Sequence, residues 1–99
     1  MTSKDQRRLT RLTLSDTSVG VLDIESGVEF AGEGRNLSTE GLSFLADMEP
    51  SIGADMQVVL RAKDPRLAPL RATLKVLRVT RAGEGKWDVS GTLRTSAMR

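Results

Sequence analysis

The chain has no cysteine, no histidine and no tyrosine among its 99 residues, and its aromatic side chains are Phe30, Phe44 and Trp87 alone. Without cysteine, disulfides and thiolate metal sites are excluded. Without histidine, the usual proton acceptor near neutral pH is missing, and with it the commonest nucleophile–base pairs. The carboxylates are scattered, with no close pair suited to acid–base work. A metal site would have to be all-oxygen, and no Asp-rich loop of the calcium type appears. These gaps point to a domain that is not an enzyme and holds no metal or cofactor. No apolar run approaches the ~18 residues of a membrane span, and the N-terminus lacks a signal-peptide core. The expectation is therefore a cytoplasmic protein without a membrane span. The net charge of +2 is too small to mark a nucleic-acid binder, so any anion site must be local.

What remains is a pattern of period two. In "ADMQVVLR", Ala54, Met56, Val58 and Leu60 share one face. In "WDVSGTLR", Trp87, Val89, Gly91 and Leu93 alternate with Asp88, Ser90, Thr92 and Arg94. Leu42 and Phe44 alternate about Ser43. The run "LRATLKVLRVTR" alternates through Ala72, Leu74 and Val76, then changes phase, with Leu77 and Val79 apolar; a β-bulge or bend near Val76 accounts for the slip. Residues 19–24 and 28–31 complete a set of about six strands. Gly27, Gly32 with Gly34, Pro50 with Gly53, Pro65 with Pro69, and Gly83 with Gly85 punctuate the chain at strand-like intervals. "DPRLAP" reads as a loop, and no window supports a long amphipathic helix. Short antiparallel strands in one small domain hide their edges most economically by closing into a barrel. Trp87, on an alternating strand, reads as a packing residue rather than a stacking platform.

Two short stretches stand outside this pattern. "MTSKDQRRLTR" at residues 1–11 is polar and basic with little to bury, which predicts a flexible arm ahead of a barrel spanning residues 12–99. It places Arg7, Arg8 and Arg11 together. Guanidinium is always charged, and its planar fork matches phosphate oxygens and the O6/N7 edge of guanine. The second stretch is "NLSTEG" at residues 36–41. Asn36 offers an amide, Ser38 a hydroxyl on the same side if the backbone is extended, and Gly41 permits a tight turn or close backbone approach. The Asn36 carbonyl can accept from N1 and N2 of guanine while an arginine takes the opposite edge of the base.

In this order, the two stretches resemble the PilZ domain family, which carries an RxxxR motif in an N-terminal arm and a [D/N]xSxxG motif at a strand edge. Here the first reads RRLTR from Arg7 to Arg11 and the second NLSTEG, with 24 residues between. "IGADMQVVLR", "RATLKVLRVTR" and "WDVSGTLR" resemble later strands of the family, so the resemblance spans almost the whole chain. It implies a six-stranded antiparallel β-barrel with cyclic di-GMP as ligand. By the resemblance, Arg7 and Arg11 match the two arginines, Arg8 a basic companion, and Asn36, Ser38 and Gly41 the fixed positions of the second motif. Many members place Phe where Leu93 falls and add a C-terminal helix, which must be very short or absent here.

The implied function is a stand-alone receptor that orders its arm over cyclic di-GMP and signals through an unidentified effector protein. Two other readings stand beside it: a PilZ-like adaptor working by protein contacts alone, and a small RNA-binding barrel. DNA is not among the expected partners.

Overall fold

A computed structural model describes residues 12–94 of the chain. Seven strands follow one another: β1 (Leu12–Thr13), β2 (Thr17–Asp23), β3 (Glu29–Leu37), β4 (Gly41–Ala46), β5 (Asp55–Ala62), β6 (Leu70–Gly83) and β7 (Lys86–Arg94). Among the described residues there is no helix. Every pairing is antiparallel, in the order β1-β3-β2-β5-β6-β7-β4, and β3 also pairs with β4. That last pairing closes β2 to β7 into a six-stranded barrel and leaves β1 as an added strand at the edge of β3. Closure removes the open sheet edges that would otherwise template aggregation.

The period-two pattern fills the barrel. Val19 and Val21 of β2, Leu42, Phe44 and Ala46 of β4, and Met56, Val58 and Leu60 of β5 point inward and are buried. Ala72, Leu74 and Val76 of β6 and Val89 of β7 complete the core. No polar side chain is buried among the described residues. An interior this narrow is a packed core rather than a channel.

β3 differs from the sequence expectation. It runs to Leu37 instead of stopping at Ala31, because Gly32 and Gly34 lie inside the strand rather than breaking it. Both face inward, where their missing side chains let neighbours approach. A Cβ on Gly32 would strike the Leu45 carbonyl and the Phe44 ring, and one on Gly34 would strike Leu14. Glycine inside a strand marks such close approach. By contrast, Gly27, Gly53 and Gly85 occupy turns at positive φ, as punctuation requires. Residues 63–69, with both prolines of "DPRLAP", form a loop.

The anticipated bulge in β6 is present. Val76 opposes Gly91 and Arg78 opposes Ser90, so Leu77 is the extra residue. Val79 returns to the core side opposite Val89, whereas Leu77 is 55% exposed instead of joining the core. A further register shift in β6 falls between Arg81 and Gly83, and β3 carries one between Gly34 and Asn36. Trp87 is half-buried against the core, opposite Ala46, and so acts in packing.

Candidate functional site

β1 and β2 run along one side of β3, and β4 along the other. Between β1 and β2 the chain bends at Asp16, whose φ of 51° is left-handed, a region aspartate tolerates better than most residues. The Leu14 N–H still donates to the Arg35 carbonyl at 2.7 Å, so the bend does not detach the chain from β3. Leu12 opposes Leu37 and Thr13 opposes Asn36. The first described residue thus lies across from the residue just before Ser38.

Asn36 is the penultimate residue of β3 and half-buried. The register shift at Arg35 turns it outward, opposite Ser43, and its Nδ2 donates to Ser43 Oγ at 3.3 Å. That bond uses the donor end of the amide and leaves Oδ1 as an acceptor. Ser38 lies beyond the strand, in the turn to β4, so the two residues do not share an extended segment. Ser38 Oγ accepts from the N–H groups of Glu40 and Gly41, both at 3.2 Å, while its own N–H donates to the Gly41 carbonyl at 2.9 Å. The hydroxyl thereby closes the turn, as serine commonly does. Gly41 opens β4 opposite Thr92, and a Cβ there would strike the Gly91 carbonyl. Its glycine is required by close approach, not by φ.

Arg7, Arg8 and Arg11, with the whole predicted arm, lie outside the described residues, as does the C-terminal stretch 95–99. Arg11 is nevertheless one peptide unit from Leu12, about 3.8 Å between Cα atoms. The described wall itself is poor in positive charge. Between Thr17 and Leu60 the only cation is Arg35, against eight carboxylates.

Sequence reasoning gave Ser43 and Ser90 nothing beyond outward positions on their strands. The barrel sets them side by side, since Ser43 opposes both Asn36 and Ser90. Arg78 opposes Ser90 in turn. The shifts at Gly34/Asn36 and Val76/Arg78, which strand alternation does not predict in detail, bring Asn36 and Arg78 into one outward row with them.

A separate recess of about 560 Å³ opens between the β1–β2 bend and the end of β5, lined in part by Leu14, Asp16, Ser18, Glu33, Arg61 and Lys63. Its two cations balance its two carboxylates, and none of Asn36, Ser38 and Gly41 lines it. Among the described residues there is no cluster suited to holding a metal ion and no helix long and apolar enough to cross a membrane.

Comparison with known proteins agrees with this architecture. No curated protein matches the chain. Among solved structures, it is similar to the Bacillus subtilis inhibitor of motility, MotI/DgrA, with a TM-score of 0.65 at 13% identity. The match covers 89% of this chain but only 43% of that one, so the likeness is one of fold over less than half of the larger protein. The PilZ domain model matches residues 4–94, a span that takes in both motif stretches and the entire barrel. The chain belongs to the PilZ domain family.

Proposed function

We propose that this PilZ domain is a receptor for cyclic di-GMP, held between the basic segment at residues 7–11 and the barrel edge at Asn36, Ser38 and Gly41. The observation that carries this reading is the pairing of Leu12 with Leu37, which brings the chain out of its RxxxR segment beside the NLSTEG turn. The arginines supply the charge that the acidic wall lacks. Arg7 and Arg11 grip phosphodiester oxygens or a guanine O6/N7 edge with their forks, and Arg8 adds charge beside them. Asn36 Oδ1 accepts from guanine N1 and N2. Ser38 Oγ already accepts two N–H groups, so its own proton is left to donate to a phosphate oxygen. Gly41 lets β4 press against β7 and fixes the turn.

Ordering the basic segment over the ligand changes the surface offered to an effector protein, which is the output. The description of MotI/DgrA as an inhibitor of motility is compatible with output through protein contact.

Isothermal titration with cyclic di-GMP, beside a single-stranded RNA of equal charge, tests the reading. Saturable binding of the dinucleotide alone is expected. Preference for RNA would favour an RNA-binding barrel, and binding of neither would leave an adaptor that works by protein contacts.

Affinity should be nearly constant between about pH 6 and 8, because none of the proposed groups titrates there. The carboxyl of Asp64 is held below its ordinary value by side-chain and backbone hydrogen bonds from Arg66, which moves it further from neutrality. Its small contribution to stability is present above the ordinary carboxylate range and lost as the pH falls through its lowered value. Affinity should weaken with salt, because exposed phosphate contacts are screened over about 8 Å at physiological ionic strength. A steep pH midpoint near neutrality would assign control of the site to another group.

Ser38→Ala should weaken cyclic di-GMP binding by roughly 1 kcal/mol while leaving the circular dichroism of a folded β domain. Because the same hydroxyl closes the turn, a small drop in melting temperature should accompany it. A lowered melting temperature with an unchanged titration would make Ser38 a turn residue alone.

A further inference from the structure

Beyond Asn36 of the second motif, the outward face of β4, β7 and β6 carries side chains that the two motifs leave unused. Across the barrel wall run Asn36, Ser43, Ser90 and Arg78, each opposite the next. Three strand spacings separate the ends, about 14 Å along the sheet. Both ends of this row depend on register shifts. The shift between Gly34 and Asn36 turns Asn36 outward, and the shift between Val76 and Arg78 puts a cation where strict alternation would put Leu77. Bulges commonly re-aim a side chain beside a functional site.

Asp88 lies one outward step from this row on β7, opposite Leu45 and Thr80. It is half-buried, and as a diagonal neighbour across the strand pair it lies roughly 7–8 Å from Arg78 between Cα atoms. Among the described residues the ion pairs are Arg66 with Asp64 and Lys75 with Asp55, so neither Arg78 nor Asp88 pairs with another described residue.

We infer that Arg78 and Asp88 form a second base subsite that reads a guanine edge. The inference rests on the cyclic di-GMP reading above. The guanidinium fork offers donors only, which suits O6 and N7 of guanine. The carboxylate offers acceptors only, which suits the N1 and N2 donors of the same base. Adenine presents an amino group in place of O6 and has no N2 donor, so the pair disfavours it. A phosphate is a poorer fit, because Asp88 would repel it at short range. Leu45, half-buried and directly opposite Asp88, gives the base an apolar surface to lie against. Ser43 and Ser90, uncharged and half-buried, form the floor between this subsite and Asn36. A ligand with two guanines then finds one reader at each end of the row.

The test is titration of the full chain and its variants with cyclic di-GMP and, by competition, cyclic di-AMP. Arg78→Ala and Asp88→Ala should each lower affinity for cyclic di-GMP by about tenfold, the scale of one lost base-edge contact, and should narrow the preference over cyclic di-AMP. Arg71→Ala removes the same charge from β6 at a position opposite Val59, away from the row, and should bind like the parent. Circular dichroism and melting curves establish that each variant is folded. If Arg78→Ala and Asp88→Ala bind cyclic di-GMP like the parent while Arg11→Ala loses affinity, the receptor reading stands and the second subsite is wrong. If Arg78→Ala loses affinity equally for both dinucleotides, Arg78 contacts phosphate and base reading is overturned. If the parent binds no cyclic dinucleotide, both readings fall.

Discussion

Arg11→Ala should reduce cyclic di-GMP affinity about ten- to hundredfold, the equivalent of roughly 1.5–3 kcal/mol for one charge-assisted contact. The size follows from position. Arg11 is bonded to Leu12, which is held opposite Leu37, so little chain separates it from that anchor. Arg7 sits four residues further from that anchor. More chain must be ordered before it can contribute, so Arg7→Ala should cost less. Arg11→Lys should recover only part of the loss, because an ammonium keeps the charge but not the fork. Amide exchange over residues 7–11 should slow when cyclic di-GMP is added, and Arg11→Ala should abolish the slowing. Exchange in β5, on the far side of the barrel, should hardly change. Undiminished binding by Arg11→Ala, or exchange over residues 7–11 that is already slow without ligand, would sink the clamp while leaving the family assignment untouched.

The barrel was legible in the sequence because its core obeys a single rule. Met56, Val58 and Leu60, or Leu42 and Phe44, recur at every second position and are buried as that period demands. The phase change after Val76 was equally visible, because two apolar residues moved to the wrong parity. What alternation alone does not fix is which residue a bulge leaves unpaired. Leu77 reads as apolar and therefore inward, yet the register makes it the extra residue and leaves it exposed. Gly32 and Gly34 misled for a related reason. A glycine that breaks a strand and one that makes room inside it look alike in sequence, and only the neighbour across the sheet distinguishes them.

The candidate site is legible where it is local and hidden where it is assembled. NLSTEG declares an amide, a hydroxyl and a glycine within six residues, and each has a definite task at the turn between β3 and β4. The sharing of Ser38 Oγ between two backbone N–H groups is a tertiary detail of that turn. Ser43, Ser90 and Arg78 come from three strands and lie far apart in the chain. Their adjacency depends on closure of the barrel and on two register shifts. No spacing motif encodes it.

Phe44→Ala should remove roughly 3–5 kcal/mol of stability, a large part of the total for a domain of this size. Phe44 heads the largest fully buried side chains, at 1% exposure, in a core that is otherwise aliphatic. It packs beneath Gly32, where a glycine leaves space for the ring. Truncation opens a cavity that rigid strands cannot collapse, so the lost contacts are not replaced. At about 4–8 °C per kcal/mol for a domain of this length, the melting temperature should fall by well over 10 °C. Adding a methyl at Gly32 will not fill the gap. Its Cβ would meet the Leu45 carbonyl before it met the vacated ring position, and that backbone cannot move without disturbing the β3–β4 pairing. Gly32→Ala should therefore destabilise the parent by roughly 1–3 kcal/mol and should not rescue Phe44→Ala. A double-mutant cycle by urea unfolding measures this directly. A double variant more stable than Phe44→Ala alone would mean that the ring, and not the strand backbone, enforces glycine at position 32.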